Sequence, residues 1–149
     1  MNVLEHLIEE HRKAEQLIAT LAASQPGLTR ASILAELSDA LDLHMEDEER
    51  DVYPIVQQHL GGARAEAAEQ EHSDARDLLS RLADGPDGPE FDSTVQSLSS
   101  AIGHHVAAEE NEIFPALMSR APAEIAALGD AEQNEEEIEE QLAEESRPS

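Results

Sequence analysis

A repeat with an offset of 61 residues constrains this chain more than any other feature. His11 is followed 33 residues later by His44 and then by Glu48, and His72 is followed 33 residues later by His105 and then by Glu109. The matching frame is wider than these six residues. Leu37-Ser38-x-Ala40 recurs as Leu98-Ser99-x-Ala101, and Glu48-Glu49-x-x-Val52-Tyr53-Pro54 recurs as Glu109-Glu110-x-x-Ile113-Phe114-Pro115. Glu10-His11, Ala14, Leu17 and Leu21 are matched by Glu71-His72, Ala75, Leu78 and Leu82. Agreement at so many positions and one offset points to a duplicated helical hairpin, and such a repeat fixes the architecture before any residue is assigned a role.

The periodicity within each half is helical. Leu4, Leu7, His11, Ala14, Ile18 and Leu21 recur at three and four residues, which puts His11 on the apolar stripe of a first helix capped by Asn2. Gln25-Pro26-Gly27 closes that helix. A second is expected from near Ala31 to about Leu60, with Leu34, Leu37, Leu41, His44 and Glu48 along one side, and Pro54 is expected to kink or loosen its last turns because proline donates no backbone hydrogen bond. Gly61-Gly62 ends the hairpin. A third helix, roughly Ala63 to Ala83, carries His72 inward, and the breaker Gly85-Pro86-Asp87-Gly88-Pro89 separates it from a fourth, near Asp92 to Met118. Short connections force such helices to lie antiparallel, so the expected fold is all-α, an up-down-up-down four-helix bundle over residues 1–120. Residues 121–149 are expected to form a short helix and an acidic helical tail outside the bundle.

Composition narrows the chemistry. A palette of Leu, Ala, Ile and Val with few aromatics favours helix packing over sheets. The chain has no cysteine, so disulfides, thiolate chemistry and Cys-ligated clusters are excluded and any metal must sit on nitrogen and oxygen. A net charge of −25 argues against nucleic-acid or anionic-membrane partners, which are bound through Lys and Arg patches. No basic leader or membrane-length apolar run is present, and a soluble, cytoplasmic protein is the expectation. The run from Glu135 to Glu145 reads as a solvated helix or frayed terminus.

In His44-x-x-x-Glu48 and His105-x-x-x-Glu109 the imidazole and carboxylate stand one turn apart on one helix face, separated by about 6 Å and about 40°. With His11 and His72 the bundle interior would hold four imidazoles and two carboxylates from all four helices. Unpaired carboxylates in an apolar core destabilise the fold or titrate upward, whereas divalent cations neutralise them. This set has the right number of donors for two ions, each with two nitrogens and both spanned by Glu48 and Glu109. Borderline nitrogen with hard oxygen suits iron, with manganese and zinc as competitors. Oxo, hydroxo or water ligands would complete the coordination and mark positions for a small molecule.

The ordered set His11, His44-x-x-x-Glu48, His72 and His105-x-x-x-Glu109 resembles the hemerythrin-like HHE cation-binding domains over roughly residues 1 to 120. The resemblance implies that these six positions are ligands of a non-haem di-iron centre bridged by Glu48 and Glu109. It also implies binding of oxygen, nitric oxide or peroxide for sensing, storage or detoxification. The chain departs from the respiratory hemerythrins in having Arg76 where they have a fifth histidine, and Glu109 four residues after its histidine where they have an aspartate at five. It is therefore closer to the bacterial and regulatory HHE group.

Two alternatives stay open: a catalase- or peroxidase-like di-iron enzyme, for which no additional acid or base is visible, and a metal-independent helical interaction module. His6 and His104 are rotated away from the ligand face and are read as surface or supporting residues, and His59 as a helix C-terminal charge. Tyr53 is read as packing at the bundle end, with a phenolate ligand as the alternative. Glu10, Glu15, Glu49, Glu71 and Glu110 are candidates for orienting the imidazoles.

Overall fold

The computed structural model describes residues 2–129; the acidic run from Glu135 lies outside them. Four helical rods form the bundle. The first is α1, Val3–Ala22; the second joins α2, Leu28–Asp47, through a π-helical turn, Glu48–Val52, to α3, Tyr53–Leu60. The third is α4, Gly62–Asp84, and the fourth joins α5, Phe91–Ala108, through a second π turn, Glu109–Ile113, to α6, Phe114–Arg120. Residues 122–129 form one further helix, α7.

Asn2 caps α1 as its position suggested, its side-chain oxygen accepting from the Glu5 N–H at 3.0 Å. The second helix begins at Leu28, earlier than the apolar pattern indicates, because Gly27 adopts φ 137° and turns the chain directly into it. Gly61, at φ 101°, makes the reversal between α3 and α4. Both are conformations that cost a residue with a Cβ dearly.

The loosening expected near the prolines takes the form of a π turn. Each rod widens by one that starts at the glutamate, with the Tyr53 N–H bonded to the Glu48 carbonyl and the Phe114 N–H to the Glu109 carbonyl. Pro54 and Pro115 follow as the second residues of new helical segments, where the lost donor and the ring's clash with the preceding turn cost little.

The polar residues of the repeat divide the core. Toward the loop end, Ile18, Leu21, Leu37, Leu79, Leu82 and Leu98 belong to one buried cluster. At the other end Leu7, Val52, Val56, Ile113, Leu117 and Ile125 belong to a second. His11, His44, Glu48, His72, His105 and Glu109 are buried between the two. Far from that layer, buried Arg30 ties the two long loops together. Its guanidinium lies 4.0 Å from the Phe91 ring centroid and donates to Ser24 Oγ, to the Ser24 carbonyl and to the Pro86 carbonyl.

Residues 122–129 join the core instead of standing outside the bundle, since Ile125 has no exposure and seats among the second cluster. Ile125→Ala is therefore expected to lower unfolding free energy by about 2–5 kcal/mol. Leu28→Ala, at a residue 91% exposed, should change it by less than about 0.5 kcal/mol. Urea titration of both variants checks this; equal effects would mean that α7 does not cover the bundle.

Candidate metal centre

Each hairpin supplies one tilted pair of imidazoles. The His11 and His44 rings are 4.8 Å apart at 63°, and the His72 and His105 rings are 4.8 Å apart at 62°. The near-identity of the two pairs is the repeat expressed in three dimensions. Glu48 and Glu109, both without solvent exposure, lie between them. Glu48 Oε1 is 2.8 Å from His44 Nε2 and 3.2 Å from His72 Nε2, while Glu109 Oε1 is 3.1 Å from His105 Nε2 and 3.0 Å from His11 Nε2. Each carboxylate thus takes nitrogen from its own helix and from the opposite hairpin.

Every inward imidazole is aimed by an outer carboxylate. Nδ1 of His11 pairs with Glu110 at 2.8 Å, that of His44 with Glu10 at 3.0 Å, that of His72 with Glu49 at 2.7 Å and that of His105 with Glu71 at 3.4 Å. With the Nδ1 proton donated outward, the Nε2 lone pairs turn toward the two central glutamates, the tautomer a metal ligand requires. Four of the five candidate orienting residues take this role. Glu15 does not: it pairs with Arg12 at 2.7 Å. Arg12 also bonds Glu110, and Arg76 donates to Glu49 at 2.8 Å, so the residue that stands in place of a fifth histidine faces an outer carboxylate.

Tyr53 lies inside the centre. The wide turn carries it from the far side of the helix to the same side as Glu48, and its hydroxyl donates to Glu109 Oε2 at 3.0 Å and sits 2.9 Å from His72 Nε2. Its ring stacks on His72, and its repeat partner Phe114 stacks on His11 at 6.1 Å. Phenylalanine has no hydroxyl to offer, and the oxygen equivalent to the one Tyr53 serves, Glu48 Oε2, is buried with no hydrogen-bond partner. One ligand atom each from His11, His44, Glu48, His105 and Glu109 lie within 4.8 Å of one another. His72 adjoins this group, its Nε2 engaged by the Tyr53 hydroxyl. The spacing alone does not announce the π turns: Val52 and Val56 follow Glu48 at the four-residue interval of an ordinary helix, and only the inward placement of Tyr53 departs from it.

The donor set fits a cation. Glu48 Oε2 is buried without a hydrogen bond, a state that costs about 1–3 kcal/mol, and buried His44 Nε2 faces Glu48 Oε1 at 2.8 Å. The inner glutamates and the outer Glu10, Glu49, Glu71 and Glu110 surround four imidazoles, and among the described residues Arg12 and Arg76 are the guanidiniums in contact with them, a field that favours multivalent positive charge. Without metal, protons supply the compensation. Burial opposes charge on His44, but its bonds to Glu10 and Glu48 outweigh that and push it up to about 10. His105 is likewise opposed by burial and pushed up to about 12 by Glu109, Glu48 and Glu71. Burial would raise the Glu48 carboxyl, yet contacts with Glu109, His105, His44 and His72 hold it well below its usual range. Burial, reinforced by Glu48 and Glu109, keeps the Tyr53 phenol protonated far above its ordinary range.

A family model described as the Hemerythrin HHE cation binding domain matches residues 2–117. The chain is 27% identical over 125 residues to a protein named DNA nickase from Nostoc sp., covering 83% of this chain and 36% of that one. It is 27% identical over 140 residues to the iron-sulfur cluster repair protein YtfE of Cronobacter sakazakii, covering 76% of this chain and 63% of that one. The chain therefore spans less than two thirds of either relative.

Two expectations follow from the geometry. Because folding raises the His44 and His105 values, their contribution to the metal-free chain is complete below the unfolded value of about 6.5 and lost as pH climbs through about 10 and 12. The melting temperature of chelated protein should fall progressively over that range, and a flat profile would mean neutral imidazoles. Tyr53→Phe should cost about 1–3 kcal/mol by orphaning Glu109 Oε2, whereas Phe114→Tyr, whose hydroxyl would meet the free oxygen of Glu48, should cost less; denaturant titration distinguishes them.

Proposed function

Because the chain belongs to the hemerythrin HHE cation-binding domain family, we propose that it holds a pair of iron ions on His11, His44, Glu48, His72, His105 and Glu109. We infer further that it uses them to bind a small diatomic or oxidant ligand for sensing, storage or detoxification. The observation that carries this reading is the outward anchoring of all four Nδ1 atoms, which commits four Nε2 lone pairs to one buried space. When bound, the iron pair would supply reversible redox chemistry and open coordination positions; manganese or zinc would fit the donors less well.

The residues divide the work. Glu48 and Glu109 would hold both ions, since each already faces nitrogens from both hairpins. Glu10, Glu49, Glu71 and Glu110 hold the imidazoles in register, and Arg12 and Arg76 neutralise two of those carboxylates at the surface. Tyr53 presents a protonated hydroxyl at the centre, where it orients Glu109 and can donate a hydrogen bond to a bound ligand. The similarity to a protein named for iron-sulfur cluster repair favours a second reading, in which iron itself is the cargo. The similarity to a protein named DNA nickase is assigned to a shared helical domain. A chain with 9 Lys and Arg against 34 Asp and Glu is poorly suited to a phosphate backbone.

Metal analysis of protein from iron-supplied cells should find about two irons per chain, the stoichiometry expected of this donor count. Glu48→Ala or Glu109→Ala should remove more iron than replacement of any single histidine, and His6→Ala should remove none. Equal loss at all six positions would overturn the bridging assignment. Ready transfer of the iron to a chelator, with no spectral response to oxygen, nitric oxide or peroxide, would favour cargo over ligand binding.

A further inference from the structure

The 34 carboxylates of this chain are spread unevenly, and the repeat exposes the unevenness. Residues 16–35 and 93–108 are the two longest stretches without Asp or Glu, and Arg30 is their one Lys or Arg. Their counterparts 61 residues away are acidic: 77–96 carries Asp77, Asp84, Asp87, Glu90 and Asp92, and 32–47 carries Glu36, Asp39, Asp42, Glu46 and Asp47. Position by position, Ser97, Ser100, Gly103 and Ala107 on α5 stand where α2 has Glu36, Asp39, Asp42 and Glu46. All eight positions are exposed, so neither core packing nor the imidazole layer accounts for the difference.

The fold brings the two uncharged stretches together. α1 packs against α5, running antiparallel to it. At one end His11 faces His105 with ring centroids 6.3 Å apart, and at the other Arg30, just past the α1–α2 loop, lies 4.0 Å from the Phe91 ring centroid. The second half of α1 therefore runs beside α5, between the imidazole layer and the loops. Arg30 is buried and adds no charge to the outside. Leu28, 91% exposed, stands at the loop end of this surface, in a depression lined by Ala19, Ala23, Pro26 and Ile33. Carboxylates begin at the borders, Glu15 on α1, Glu36 on α2 and Glu90 ahead of α5. The described chain ends at Gly129 beside Asn2, at the opposite end of α1, and no described segment covers the face.

We propose that a second copy of the chain docks here, with α1 and α5 of one copy against α1 and α5 of the other about a two-fold axis, so that the same face meets itself. Two molecules of charge −25 repel, and carboxylates set against carboxylates cost several kcal/mol. On the α1–α5 face two copies meet without that cost, whereas a cationic partner is drawn to the acidic faces instead. Serine, alanine and glycine also lose little rotamer freedom on contact. The exposed residues of the two stretches approach the roughly 20–30 a side of a standard interface. With Leu28 as their exposed large apolar side chain, the dimer is weak, with a dissociation constant on the order of micromolar. The proposal stands apart from the metal reading.

Sedimentation equilibrium of the full chain, as purified, should show a monomer–dimer equilibrium from micromolar to millimolar protein. It should tighten as salt is raised, because salt screens the repulsion and leaves the uncharged contact. Ser97→Glu combined with Ser100→Asp copies the α2 pattern onto α5 and should weaken association by roughly 100-fold or more. Ala19→Glu, on the other rod of the same face, should weaken it by roughly tenfold or more. Ala63→Glu combined with Ala67→Glu adds charge at exposed positions of α4, toward the other end of the bundle, and should change it by less than about threefold at high salt. Circular dichroism should be unchanged in all three variants. A monomer at every concentration would overturn the proposal, as would a dimer that survives both the α5 and the α1 changes. Equal weakening by the α4 changes, or association that loosens with salt, would place the contact elsewhere and overturn it too.

Discussion

Two carboxylates with no access to solvent, Glu48 and Glu109, sit midway along an apolar bundle, and the surrounding structure is arranged to make that tolerable. The desolvation penalty for a buried ion amounts to several kcal/mol, and it is offset only by close partners with good geometry. Here the partners come in successive shells. Imidazoles face the inner carboxylates, outer carboxylates face the imidazoles, and for His11 and His72 a guanidinium faces the outer carboxylate. Donors and acceptors thereby alternate out to the surface, where water completes the compensation. Glu48 Oε2, a carboxylate oxygen at the centre that lacks a hydrogen bond, is where protein groups no longer suffice and a cation has something to contribute.

The π turns follow from the same constraint. On a regular helix, residues five apart point in directions about 140° apart, so a helix that buries Glu48 would turn Tyr53 away. The extra residue in the turn allows Glu48, Val52, Tyr53 and Val56 all to be buried, closing the centre with an aromatic ring directly beneath the carboxylate. The following proline then costs little, because the widened turn has already broken the regular hydrogen-bond ladder.

This explains which parts were legible in advance. The all-helical hairpins and the inward stripe through His11, His44, His72 and His105 depend on periodicity, which side chains reveal directly. The orienting role of Glu10 and Glu49 was legible for a related reason: each adjoins an inward residue, so its side chain can reach a neighbouring rod. Tyr53 was not legible, because its orientation depends on a backbone hydrogen bond from its own N–H to the Glu48 carbonyl, and propensity does not encode that shift. Nor was the seating of Ile125, since a single apolar residue in a short segment carries no period and its burial is decided by the open end of the bundle.

The duplication is kept at the inner shell and abandoned around it. The imidazole pairs match to within a degree of tilt, yet Tyr53 opposes Phe114, Lys13 opposes Asp74, and the guanidiniums on the outer carboxylates come from positions that are not repeat-equivalent, Arg12 and Arg76. Coordination tolerates little variation in donor geometry, which accounts for the first observation. The second means that the two proposed ion positions are chemically unlike. One carboxylate has its outer oxygen fixed by a phenol and the other has it free, so the Glu48 side is the one whose coordination can change with least rearrangement of protein. With the proposed ligand set, a symmetric scaffold with one adjustable carboxylate would give an incoming ligand a preferred side without requiring the bundle itself to move.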